Sequence, residues 1–261
     1  MTLKNIIHFI NYKLTAYTEH DVHSPFVFDF YNELILNNYP YNDFFTLNEV
    51  RQALLKDETI IDVTDYGAGS RKLKSNQRQV SDIAKVGISN KKQSEFFYRL
   101  INKFKPHTIV ELGTSIGLNT LYLAKAAPQS TIYTMEGCAN IHQYAQGVFN
   151  QCQQNNIKAL QGNFNTELPV LLKNLDTIDL LYVDGNHAYE PTVNYFKLAL
   201  EKKNTHSIFI FDDINWSDDM QKAWKEICSH SEVTLSLDFF YFGIVFFRKE
   251  NLQKEHFVLR F

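Results

Sequence analysis

Six polar residues stand at or just beyond the ends of short apolar runs: Glu111, Glu136, Asn163, Asp184, Asp212 and Asp213, with His187 three residues after Asp184. These types could do specific chemistry. A carboxylate accepts from two neighbouring hydroxyls at once. Three carboxylates suit a hard cation such as Mg²⁺, Mn²⁺ or Ca²⁺, and a histidine near neutral pKa can take a proton from a hydroxyl. Taken singly, an acid at a strand end reads as a turn or a helix cap, and a histidine there as a holder of its loop. Asp212 or Asp213 would then cap the helix after Trp216, and Asp184 the helix that follows it. Six such residues on one sheet edge are harder to dismiss.

The elements that must position them follow from periodicity. Ile109, Val110 and Leu112 read as a buried parallel strand, and Leu118, Leu121, Tyr122 and Ala124 recur at helical spacing. Between them Gly113 and Gly117 serve a sharp turn, because glycine tolerates positive φ and lets a ligand approach the backbone at a helix start. Alone, this turn is equally a tight connection. Asp65-Tyr-Gly-Ala-Gly-Ser70 competes with it, but no strand ending in an acid follows within about 20 residues, as a nucleoside site needs. After Gly117, Ser130 to Glu136 supplies both strand and carboxylate.

Beyond Glu136 the alternation continues, with helices expected at 139–153, 168–175, 191–202 and 220–228 and strands at 157–160, 178–184 and 207–213. Val233 to Phe240 and Phe242 to Phe247 lie too close for a helical crossover and should pair antiparallel, with Gly243 a bulge or a close approach. The fold class expected is α/β: a doubly wound, mostly parallel sheet with a C-terminal antiparallel hairpin and an N-terminal helical extension. That extension has helices at 5–17, from Ser24-Pro25 to Leu36, and at 46–55, where Thr46 and Glu49 have capping-box spacing.

Composition bounds the class. The 261 residues carry a net charge of −3, so the chain as a whole has no nucleic-acid-like excess of positive charge, and contact with nucleic acid is disfavoured without being excluded. From Arg71 to Lys105, however, ten basic residues face two acids. The run reads as a solvated helix face or as a guide for an anionic acceptor through Arg71, Lys72, Lys74 and Arg78. Three cysteines at unpaired spacing suggest neither a disulfide framework nor zinc, and fit a reducing cytoplasm. No segment reaches the roughly 20 apolar residues of a membrane helix. A homodimer stays open.

Glu111-Leu-Gly-Thr-Ser-Ile-Gly117, Met135-Glu136, Gly162-Asn-Phe164, Val183-Asp-Gly-Asn-His187 and Phe211-Asp-Asp-Ile-Asn-Trp216 resemble, as an ordered set, the motifs of class I S-adenosylmethionine-dependent methyltransferases. They are most similar to the O-methyltransferases of the catechol and caffeoyl-coenzyme A type. The resemblance covers roughly residues 88–249, and it implies a Rossmann-like sheet within an S-adenosylmethionine-binding domain over 88–261. Residues 1–87 would be a helical lid over the acceptor, and their His23-Ser-Pro-Phe26 stretch resembles that of bacterial methyltransferases. It further implies that Glu111, Gly113, Thr114, Ser115 and Gly117 wrap the methionine part of S-adenosylmethionine, with Asp184 also on the cofactor. Glu136, with Gly137 beside it, would hold the ribose, and Asn163 with Phe164 would lie by the adenine. Asp184, Asp212 and Asp213 match positions of an optional divalent cation, and His187 stands where metal-dependent relatives carry a lysine base, so His187 and Asp184 are the catalytic candidates. Ser115 in place of a middle glycine counts against the rival nicotinamide-dependent oxidoreductase. A non-catalytic cofactor-binding partner of RNA or protein is the other rival.

Overall fold

Pro25 fixes φ and has no N–H to leave unpaired, so a helix can begin on it at little cost. The computed structural model describes residues 3–64 and 75–261. In it the chain enters through α1 (Leu3–Thr15) and then α2 (Pro25–Phe30), which runs on as a π-helical turn over Tyr31–Leu36. The chain packs as two compact units, one of residues 1–38 and 177–261, the other of residues 39–176.

The contiguous unit holds α3 (Asp43–Leu54), β1 (Ile60–Asp62), β2 (Gln77–Gln79), α4 (Val80–Gly87) and α5 (Lys91–Phe104). There follow β3 (Thr108–Leu112), α6 (Leu118–Ala126), β4 (Thr131–Glu136), α7 (Ala139–Gln151), β5 (Ile157–Gln161) and α8 (Phe164–Lys173). Strands β3, β4 and β5 run parallel, with Leu112 beside Met135 and Glu136 beside Gln161, so their carboxyl ends share one edge. Ile109, Val110, Leu112, Ile132 and Met135 are buried, as continuous apolar strands covered on both faces must be. By contrast β1 pairs antiparallel with β2 in a sheet of its own. The competing 65–70 glycine stretch therefore follows no strand of the parallel sheet, and residues 65–74, with Arg71, Lys72 and Lys74, lie outside the described residues.

The other unit continues with β6 (Ile178–Val183), α9 (Tyr189–Leu200), β7 (Lys203–Asp212), α10 (Asp218–Ser229), β8 (Leu235–Asp238), β9 (Phe242–Phe246) and β10 (Glu255–Val258). Here β6 and β7 are parallel, and β9 is antiparallel to both β7 and β8, the hairpin expected from the sequence. Strands β3 to β10 belong to one eight-stranded, mostly parallel sheet, the Rossmann-like architecture. Gly243 is a close approach rather than a bulge: a Cβ there would lie 2.4 Å from the Trp224 ring. The α1 helix lays Phe9 and Tyr12 on Phe240, with ring centroids 5.0 and 5.2 Å apart, and Tyr12 donates to the Leu259 carbonyl at 2.8 Å.

Several boundaries differ from expectation. Helix α3 begins at Asp43 and not Thr46, so the Thr46/Glu49 box is interior; Asp43 puts a carboxylate in the first turn and accepts from Tyr98 at 2.6 Å. Helix α8 begins at Phe164 because Asn163 caps it, accepting from the Asn165 N–H at 2.9 Å. Strands β2 and β10 were not expected; both are short, β2 is wholly polar and β10 half polar, and β10 takes its place from pairing parallel to β8.

Candidate active site

In the contiguous unit the turn after β3 is built as its glycines require. Gly113 and Gly117 have φ of 108° and 87°, and the Gly113 and Thr114 N–H groups both donate to the Met135 carbonyl at 3.0 Å, closing the turn onto β4. Ser115, where the middle glycine is missing, still adopts φ 48°. A Cβ on Gly117 would come 2.6 Å from the Phe149 ring, so the position is closed to larger residues by space as well as by φ.

Glu136 ends β4 and is tied to this turn. Its Oε2 accepts from the Ser115 N–H at 3.0 Å and its Oε1 from the Cys138 N–H at 2.9 Å. Two backbone donors thus fix the direction of a carboxylate that has about four acceptor directions. At the end of β5, Gly162 with φ 151° donates to the Glu136 carbonyl at 3.0 Å, and Gln161 donates to the Gly137 carbonyl. These bonds set Asn163 and half-buried Phe164 beyond the same strand edge.

Glu111 is different in kind. Its side chain is 0% exposed, and its Oε2 accepts from Thr120 at 2.5 Å and Thr134 at 2.7 Å. Thr134 gives its only hydroxyl proton to that bond, so in the 2.6 Å contact between Thr114 and Thr134 it is Thr114 that donates. Burial pushes the Glu111 carboxyl up to about 7, with the Glu136 charge adding and the two threonine hydroxyls opposing. Its Oε1 is buried and has no hydrogen-bond partner among the described residues. The reach of Glu111 is into the support of the loop, through Thr134 to Thr114.

The second cluster lies in the other unit, at the carboxyl ends of β6 and β7. Tyr182, on β6, donates to Asp184 Oδ2 and to Asp212 Oδ2, each at 3.1 Å. His187 Nε2 lies 3.7 Å from Asp213 Oδ2 and 4.0 Å from Asp184 Oδ1. Burial holds the imidazole below its ordinary pKa against an upward pull from Asp212, which favours the neutral, proton-accepting form at neutral pH. Burial raises the Asp213 carboxyl to about 6. Asn186 and Asp213 sit at φ 55° and 54°, in the region where non-glycine backbone is strained and which is common at functional sites. Asn186 donates to the Tyr195 hydroxyl, and Asn215 donates to the Phe240 carbonyl.

The expected residues therefore fall into two groups. Glu111, Gly113, Thr114, Ser115, Gly117, Glu136, Gly137, Asn163 and Phe164 line the turns of one unit, and Asp184, His187, Asp212 and Asp213 gather in the other. The three carboxylates of the second group do not fit a cation. Among the described residues no three His, Cys, Asp or Glu side chains are arranged to hold one, and Tyr182 already engages an oxygen of both Asp184 and Asp212. Tyr182, Asn215 and the threonines at 120 and 134 are the polar groups whose part in the two clusters shows only in the fold.

Residues 110–214 match the family model described as a methyltransferase domain. This stretch is similar to a methyltransferase domain. It begins inside β3 and ends two residues past Asp212, so it holds both groups of site residues. Among solved structures, the chain resembles a Podospora anserina methyltransferase bound to SAH, at 16% identity with TM-score 0.56, over 82% of this chain and 99% of that one. It resembles the Bacillus cereus O-methyltransferase in complex with SAH at 15% identity and TM-score 0.56, over 80% and 93% of the two chains. A third likeness is to the O-methyltransferase TomG of Streptomyces achromogenes, involved in tomaymycin synthesis and solved with SAM, at 17% identity and TM-score 0.53 over 62% and 82%. At these identities the likeness is one of fold. No curated protein matches the chain.

Proposed function

We propose that this methyltransferase carries the methyl group of S-adenosylmethionine to an oxygen of a small acceptor. The observation that carries the reading is Glu136, held at the end of β4 by the Ser115 and Cys138 N–H groups so that its carboxylate stands beside the Gly113–Gly117 turn. In that position it accepts from the two ribose hydroxyls. The turn takes the methionine part, Gly137 stands with Glu136 at the ribose, and Asn163 and Phe164 take the adenine side. S-adenosylmethionine would supply an electrophilic methyl on sulfur. The chain's own work is to align the acceptor with it and to receive one proton. His187, neutral because it is buried, accepts the acceptor's hydroxyl proton at Nε2, with Asp184 and Asp213 at ion-pair distance to hold the imidazolium that forms. S-adenosylmethionine bound at the turn would supply the methyl that passes from its sulfur to the acceptor oxygen whose proton His187 holds.

Residues 1–87 are assigned to covering the acceptor. In their support, α1 packs on Phe240, whose carbonyl fixes Asn215 just past Asp212. An anionic group on the acceptor rests on the basic 71–105 run, and a reducing cytoplasm suits the free Cys138, Cys152 and Cys228. A nicotinamide oxidoreductase is disfavoured, since Ser115 stands where a pyrophosphate loop needs glycine.

Calorimetry should show binding of S-adenosylmethionine and none of NADH, with Glu136→Ala weakening the former about 100-fold, as the loss of a charged acceptor for two hydroxyls implies. Cell extract supplied with labelled methyl donor should then yield a methylated product. With that acceptor, His187→Ala should lose about 100-fold in turnover while cofactor affinity holds. NADH binding in place of S-adenosylmethionine, or a labelled product formed undiminished by His187→Ala, would contradict the reading and the base role respectively.

A further inference from the structure

Tyr182, Asp184 and Asp212 meet for reasons visible in the strands. Tyr182 and Asp184 are two residues apart on and just past β6, hence on one face of the sheet. In the β6–β7 register Tyr182 is paired with Ile210, which puts Asp212 two residues further along the same face. The hydroxyl of Tyr182, fully buried, reaches forward along its strand and comes to rest between the two carboxylates, 3.1 Å from one oxygen of each.

Two carboxylates brought this close repel unless something positive lies between them. In a metal site a cation at roughly 2.0 to 2.6 Å from each oxygen does this. Here the place is taken by a hydroxyl, whose one proton is shared by two acceptors. We propose that the Tyr182 hydroxyl stands in for a divalent cation between Asp184 and Asp212, so that this carboxylate pair is held by a hydrogen bond and takes up no metal. The role of the pair beside His187 rests on the methyl-transfer reading; the bridge itself rests on the geometry of β6 and β7.

The bridge makes the chain resist a cation through one oxygen atom, and removing that atom should create the affinity that it suppresses. Mn²⁺ is the probe, followed by its electron spin resonance signal, with S-adenosylhomocysteine binding measured on the same samples by calorimetry. Wild-type protein should take up no Mn²⁺ at 1 mM. Tyr182→Phe, which keeps the ring and its packing, should bind one Mn²⁺ at least tenfold more tightly than wild type, and Tyr182→Phe with Asp212→Asn should lose that gain. A merely structural tyrosine would leave Mn²⁺ affinity where it was. The proposal is overturned if wild type binds Mn²⁺ below 1 mM, a result that needs no variant, or if Tyr182→Phe gains less than tenfold. If neither protein binds S-adenosylhomocysteine, the methyl-transfer reading fails, and the Mn²⁺ result still decides the bridge.

Discussion

Glu111 shows how far a single residue's role can lie from its place in a motif. It heads the glycine-turn signature, yet it is sealed in the core and bonded to Thr120 and Thr134. Its proton should be visible in stability. Folded, Glu111 keeps its proton up to about pH 7, whereas in the unfolded chain it loses it near the ordinary 4.5. Between those values the native state binds more protons, so stability falls as pH rises from about 4.5 to 7, and above 7 that contribution is gone. The shift corresponds to about 3 kcal/mol. Glu111→Gln keeps an acceptor for both hydroxyls and cannot ionise, so urea unfolding across this pH range should show a flatter slope than wild type. An unchanged slope would mean that Glu111 is ionised in the native protein. Gly113, Gly117 and Glu136 were legible in the sequence because positive φ and a strand-end acid are local signals. Tyr182 was not, because its meaning comes from Asp212 on the next strand, thirty residues away.

At the scale of elements, strands and helices read well wherever one periodicity ran unbroken, as in β3, β6 and α9. They read poorly where a single side chain set the boundary. The resemblance puts Asn163 beside an adenine, and the structure shows it capping α8, four residues ahead of the expected start. Strand β10 has no alternating pattern of its own and exists by pairing with β8, a long-range fact that so short a run does not announce. Two glycines separate the structural uses of that residue. At Gly243 a methyl group would press on Trp224, whose indole N–H donates to Asp238 at 3.1 Å, whereas a methyl group on Gly147 in α7 would meet nothing within 4 Å. Gly243→Ala should cost about 2 to 4 kcal/mol and shift the tryptophan emission. Gly147→Ala should raise stability by about 0.5 to 1 kcal/mol, since glycine in mid-helix is replaced by the best helix former. Chemical denaturation checks both; a neutral Gly243→Ala would mean that α10 yields to the added carbon.

For the molecule as a whole, the α/β class and the order of its strands followed from alternation alone, and no helix among the described residues is long and apolar enough to cross a membrane. The division into packed units did not follow, because it depends on which distant segments meet. Both ends of the described chain clasp each other: Tyr12 donates to the Leu259 carbonyl, the Phe261 N–H donates to Tyr12, Lys13 donates to the Phe261 carbonyl, and Arg260 donates to that of Lys13. Removing residues 1–17 should therefore loosen β10. Hydrogen exchange should show protection lost at residues 255–259 while β3 and β4 keep theirs; full protection of β10 in the shortened chain would show that the clasp is dispensable.

The same clasp sets an order of events during synthesis. Residues 39–176 form their unit from one unbroken stretch, but α1 finds its partners only when residues some 247 positions later have been made. At ordinary rates of translation that wait is on the order of tens of seconds. Throughout it Phe9 and Tyr12 have no Phe240 to cover them, so α1 stays sticky until Phe240 emerges, and a chaperone that holds such helices would meet it there.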